Sequence, residues 1–164
     1  MKDMSRTKTY KISLAVQYAS ESDLVPSRVQ LRRWVSAAIK RDATITIRIV
    51  DEPEGRQLNS QYRGKDYATN VLTFVYDDCM DQPLSKSSAM LCGDVVICAP
   101  VVEREAAAQH KALLAHYAHL TIHAALHLQG YDHIGEKEAS AMESLETALM
   151  IKLRYPDPYQ ATRH

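Results

Sequence analysis

Four histidines constrain this chain more than any other feature in it. His116, His119, His123 and His127 stand in a stretch from Ala99 to Gln129 that has no glycine, and no proline after Pro100. Read as helix with a soft break near His110-Lys111, their offsets of 3, 7 and 11 residues confine them to an arc of roughly 80° at about 100° per residue. A lone histidine on an apolar face is usually a hydrogen-bonded core residue. Four on one stripe are hard to explain by packing, because Leu120, Ile122, Leu126 and Leu128 supply a core without them. His123 and His127, one turn apart, can share one cation. Gly130 is placed to stop the helix in a left-handed conformation, and the chain then delivers His133 as a third imidazole. Three neutral imidazoles leave the fourth tetrahedral position of a zinc ion open to water, the pattern of a catalytic rather than a structural site. Other divalent transition metals suit the same donors. His116 and His119 are weaker candidates, either as partners that orient a ligand or as polar residues at the helix edge.

The remaining chain supplies a scaffold for that helix. Tyr10 to Tyr18 alternates Ile12, Leu14 and Val16 with small or polar residues, as a half-buried strand does. A helix follows from Pro26-Ser27 to about Arg41, with Ser27 and Gln30 as a capping box and Val29, Trp34, Val35, Ala38 and Ile39 as its apolar stripe. Its Arg28, Arg32, Arg33, Lys40 and Arg41 read as a solvated face, with RNA contact as the sharper alternative. Ala43 to Val50 is the clearest strand, Glu54 to Tyr62 a short helix and Asn70 to Tyr76 a third strand. Asp77 to Met90 is a long polar link, and Asp94 to Cys98, introduced by Gly93, is a fourth strand. Glu136 to Leu153 makes the last helix, with Ala139, Met142, Leu145, Leu149 and Ile151 as candidate core, and the tail after it is expected to be loose. The order predicts one α+β domain over residues 1–164: a four-stranded mixed sheet covered by helices, one of them a zincin-like His-bearing helix.

Composition sets outer bounds. A chain of 164 residues, 46% hydrophobic and 24% charged, has room for one substantial core. Its formal net charge of zero gives no global support for a nucleic-acid partner, so any such site must be local. Cys79, Cys92 and Cys98 form no CxxC pair and read as reduced thiols. No apolar leader or membrane-length run stands out, so the expectation is a cytoplasmic protein without a membrane partner.

The spacing of His123, His127, Gly130 and His133 matches the extended zincin motif H-E-x-x-H-x-x-G-x-x-H except at the glutamate, where Ala124 stands. That glutamate is the general base of the peptidases, so Ala124 argues against peptidase chemistry while leaving the metal site intact.

The stretch IHAALHLQGYDH closely resembles the H-G-x-L-H-L-x-G-Y-D-H signature of the YbeY family of bacterial endoribonucleases. Two further blocks agree in order: LNSQYRGKDYATNVLTF, Leu58 to Phe74, is similar to the family's LN-x-x-YR…TNVLSF segment, and GDVVI, Gly93 to Ile97, to its GDI-x-I strand. The resemblance extends to Met142-Glu143-x-Leu145-Glu146. Ala124 in place of Gly, Ala68 in place of Pro, Thr73 in place of Ser and Val75 where Pro is common are modest departures that touch no ligand.

The resemblance implies that His123, His127 and His133 hold one zinc ion per chain, and that Arg63 engages the RNA phosphate and carries the chemistry together with His127. It implies a zinc-dependent, single-strand-specific endoribonuclease in small-subunit rRNA 3′-end maturation and ribosome quality control. The expected partners are ribosomal RNA, the small ribosomal subunit, ribosomal proteins and an assembly GTPase. A zinc-stabilised assembly factor that binds rRNA without cutting it is the alternative. On the residues alone, Arg63 reads first as a surface arginine paired with Asp66. The proton acceptor is open among the metal hydroxide itself, the RNA 2′-OH chemistry and Asp132, which is also a candidate for orienting a ligand histidine. Asn70 and Asp94 are expected to fix local backbone or orient neighbours, and the tyrosines form no visible stacking stripe.

Overall fold

Alternation decides which side of each strand is buried. In Ala43–Val50, Ile45, Ile47 and Ile49 are buried while Thr44 is exposed, so this strand presents one apolar face to the core. A computed structural model describes residues 9–76, 90–132 and 134–160. Its elements run β1 (Ile12–Ala19), α1 (Arg28–Ala38), β2 (Ala43–Val50), α2 (Glu52–Arg63), β3 (Val71–Tyr76), β4 (Leu91–Cys98), α3 (Ala99–Ala108), α4 (Leu113–Leu128) and α5 (Glu136–Lys152). The sheet order is β1-β2-β4-β3. β1, β2 and β4 are parallel, and β3 lies antiparallel on β4. This is the α+β arrangement with a mixed four-stranded sheet that the periodicity predicts. The link over 77–89 lies outside the described residues.

The main core lies on the Ile45–Ile47–Ile49 face, where α1, α4 and α5 contribute Leu31, Trp34, Tyr117, Ile122, Leu126, Met142 and Met150. On the opposite face a smaller cluster of Val50, Leu72, Val96, Cys98 and Val101 takes Leu58 and Phe74 as partly buried neighbours. In α4, twelve of sixteen residues are buried, His116 and His119 among them. Gly93 lies within β4 rather than before it. A Cβ there would meet Leu128 at 2.8 Å and the Phe74 carbonyl at 2.9 Å, so the glycine lets α4 and β3 close on β4.

Several local expectations hold. Ser27 and Gln30 form the capping box of α1. The break in the long helical stretch falls where expected, with His110 at φ 55°. Others need correction. Val29 is 78% exposed, and Leu31, absent from the expected stripe of α1, is fully buried. In α5, Ile151 is exposed and Met150 takes its place in the core, because the helix phase turns residue 151 outward. The tail is docked: Tyr155 meets Trp34 edge-on with ring centroids 6.2 Å apart, and Lys111 donates to the Pro158 carbonyl at 2.9 Å. Cys98 is a buried free thiol, as expected, and Cys79 lies outside the described residues. Arg28 and Arg32 donate to the carbonyls of Val16 and Ile12 on β1, which gives these arginines a structural use. Among the described residues no helix is long and apolar enough to cross a membrane.

Candidate metal centre

The C-terminal end of α4 is shaped by a Schellman motif. Gly130, at φ 100°, donates to the His127 carbonyl and Tyr131 donates to the Leu126 carbonyl, at 3.0 and 3.2 Å. The turn brings the Tyr131 carbonyl back over the helix end, where it accepts Nδ1–H of His127 at 3.0 Å. One turn earlier, His123 Nδ1 lies 2.6 Å from Glu146 Oε2. The two imidazoles are parallel, with 4° between their planes and 6.5 Å between centroids. With Nδ1 engaged in both rings, Nε2 is the nitrogen each can offer a cation, the donor chemistry a divalent transition metal requires. His133, the third predicted ligand, lies outside the described residues. Among the described residues alone, no three His, Cys, Asp or Glu side chains are grouped to hold a metal ion.

Glu146, on α5, is fully buried. Burial by itself raises its pKa, but the bonds from His119, His123 and Tyr159 outweigh that and hold it down at about 2, so the carboxylate is ionised. Its Oε1 accepts from His119 Nε2 at 2.7 Å and from the Tyr159 hydroxyl. On the other flank of α4, Glu105 of α3 accepts from His116 Nε2 at 2.9 Å and from Asn70 Nδ2 at 3.0 Å. Burial pushes the Glu105 carboxyl up, and the bonds from His116 and Asn70 more than offset this, leaving its pKa below the usual carboxylate value. The four-histidine stripe therefore divides. His123 and His127 line a cavity, while His116 and His119 are buried and bound to carboxylates of neighbouring helices.

The cavity has a volume of about 490 Å³ and is lined by Arg63, Thr69, Asn70, Val71, Thr73, His123, His127, Asp132 and Ile134. Arg63 reaches it because it is the last residue of α2, which ends at Gly64 in the left-handed conformation, φ 69°. Tyr62 packs edge-on against Phe74, centroids 5.2 Å apart, and fixes that last turn against β3. Buried Asn59 donates to the Tyr67 carbonyl at 2.7 Å and pins the loop that follows. Asp66 does not pair with Arg63. It takes Arg56 through both oxygens, at 2.8 and 3.0 Å. Asn70 and Asp132 share the cavity wall, whereas Asp94 accepts from the Tyr76 hydroxyl at 2.7 Å on the α2 face of the sheet. Ala124 is fully buried in the main core.

Sequence reasoning assigned no role to Glu146 or Glu105. A signal for both exists: each carboxylate interrupts an apolar stripe, Glu146 between Met142 and Leu149, and Glu105 between Val101, Val102 and Ala106.

Comparison with known proteins agrees with the architecture. The family model described as Endoribonuclease YbeY matches residues 17–154. A protein named Endoribonuclease YbeY from Nitrosospira multiformis is 53% identical over 161 residues, covering 94% of this chain and 85% of that relative. One of the same name from Methylobacillus flagellatus is 53% identical over 153 residues, covering 93% and 97%. The fold is similar to a solution structure from Thermotoga maritima, with a TM-score of 0.52 and 23% identity over 87% of this chain and 91% of that one. A family match over residues 17–154, with relatives 53% identical over more than nine-tenths of the chain, makes this chain a member of the YbeY family.

Proposed function

We propose that this chain is a zinc-dependent endoribonuclease that cuts single-stranded RNA in small-subunit rRNA 3′-end maturation and ribosome quality control. The observation that carries the reading is the single cavity that joins Arg63, from the end of α2, to His123 and His127, from the end of α4. A metal site alone fits many hydrolases, and a guanidinium alone fits any anion. Together they fit a phosphodiester.

His123, His127 and His133 would hold the ion, which when bound polarises a phosphoryl oxygen and lowers the pKa of a water toward ~7. Arg63 binds the scissile phosphate, its planar fork matching two oxygens and its charge favouring the more negative transition state. Asp132, on the same wall, is the protein carboxylate placed to take a proton or to orient a ligand ring. Thr69, Thr73 and Asn70 supply neutral polar contacts, with Asn70 held by Glu105. Peptide hydrolysis is disfavoured, because the position of the peptidase glutamate is a buried alanine. The reading places the protein in the cytoplasm, with ribosomal RNA, the small subunit, ribosomal proteins and an assembly GTPase as partners.

The test measures metal content and cleavage of a single-stranded and a duplex RNA by wild type and His127→Ala. Wild type is expected to hold one zinc per chain and to cut the single strand preferentially, and His127→Ala to lose both properties. A wild type that binds zinc and RNA but never cuts is an assembly factor instead.

A further inference from the structure

Glu146 has no contact with the cavity, yet it touches one of the rings that line it. Its two oxygens divide between two histidines one turn apart on α4, Oε2 to His123 Nδ1 at 2.6 Å and Oε1 to His119 Nε2 at 2.7 Å. We propose that Glu146 is the positioning residue of the site: its buried carboxylate accepts a hydrogen bond from Nδ1–H of His123, keeping the proton on Nδ1, and so commits Nε2 of that ring to the cavity side.

Three observations support this. The carboxylate is fully buried, and packing alone does not explain a charge there, since an apolar side chain of similar volume fills space between helices without the desolvation cost. Both oxygens are satisfied, and Oε1 also receives the Tyr159 hydroxyl from the docked tail, so the carboxylate is clamped from three sides by α4 and the tail. Among the described residues His119 Nδ1 is buried without a hydrogen-bond partner, which, with Nε2 2.7 Å from the Glu146 carboxylate, places the proton of that ring on Nε2. His119 therefore holds the carboxylate instead of competing for the metal. Neighbouring histidines of one helix are thus set in opposite tautomers, His119 with its proton on Nε2 and His123 with its proton on Nδ1. A histidine that binds metal through one nitrogen and donates from the other to a carboxylate is held in both tautomer and orientation.

This inference rests on the zinc reading for its consequence but not for its geometry, so the two fail separately. Long-range proton–nitrogen correlation spectra of the metal-free full-length wild type report which nitrogen of each ring carries the proton. The expected spectrum shows Nδ1–H for His123 and Nε2–H for His119; a His123 protonated on Nε2 overturns the proposal. Zinc affinity, measured by competition with a chromophoric chelator, is expected to fall about 10–100-fold in Glu146→Leu. A folded Glu146→Leu that binds zinc within about twofold of wild type, below that range, also overturns it. If the variant does not fold, the wild-type spectrum decides. If wild type shows the expected tautomers but takes up no zinc, the metal reading fails and the positioning of His123 by Glu146 stands.

Discussion

The carbonyl of Tyr131 accepts Nδ1–H of His127 at 3.0 Å, so the residue just past Gly130 fixes the last histidine of α4. That bond exists because Gly130 turns the chain at φ 100°, where a β-carbon is strained. Gly130→Ala is expected to cost about 1–2 kcal/mol of stability in urea unfolding. It should also weaken zinc binding. Gly64→Ala, at φ 69° on α2, should cost a similar amount of stability and leave zinc affinity unchanged, which separates strain from its effect on the histidine.

Acid should expose the ionic part of the α3–α4 contact. The pKa of Glu105 lies below its ordinary value of 4.5 in the folded chain. Its contribution is therefore present above the unfolded value and is lost as pH falls through the folded one. Urea midpoints measured down into the acid range should fall less steeply for Glu105→Gln than for wild type, and the two curves should converge at the lowest pH. The side chain is 32% exposed, so the difference should be modest.

The first helix offers a packing test. Leu31 is fully buried and Val29 is 78% exposed. Leu31→Ala should destabilise by about 2–5 kcal/mol, and Val29→Ser should stay within about 0.5 kcal/mol of wild type. Chemical denaturation of the two variants checks both values.

Much of this architecture was legible in the residues. Alternating isoleucines announce β2, Ser27 with Gln30 announces the start of α1, and the histidine spacing announces the end of α4. What escaped was phase and long-range pairing. Val29 and Leu31 are both apolar residues near the start of α1, and only the docked helix decides which faces the sheet. The tail carries prolines and looks loose, but Tyr159 finds Glu146 on the preceding helix and Tyr155 finds Trp34, a contact with a chain segment far away in sequence. Arg63 and Asp66 are close in sequence, yet the end of α2 separates them and Arg56, two turns back, takes the carboxylate. Which of the four histidines line the cavity and which are buried depends on α3 and α5: the interrupted stripes of those helices mark Glu105 and Glu146, but no local pattern says which histidine each carboxylate meets.

Arg63 is expected to act on the same phosphate as the metal held by the α4 histidines. Single-turnover cleavage of a single-stranded RNA at saturating, zinc-loaded enzyme tests it most directly, with wild type and Arg63→Ala compared alongside RNA affinity and zinc content. The Arg63→Ala rate is expected to be lowered by about 10²–10³ with zinc content unchanged. Full cleavage rate with only weakened RNA binding would contradict it.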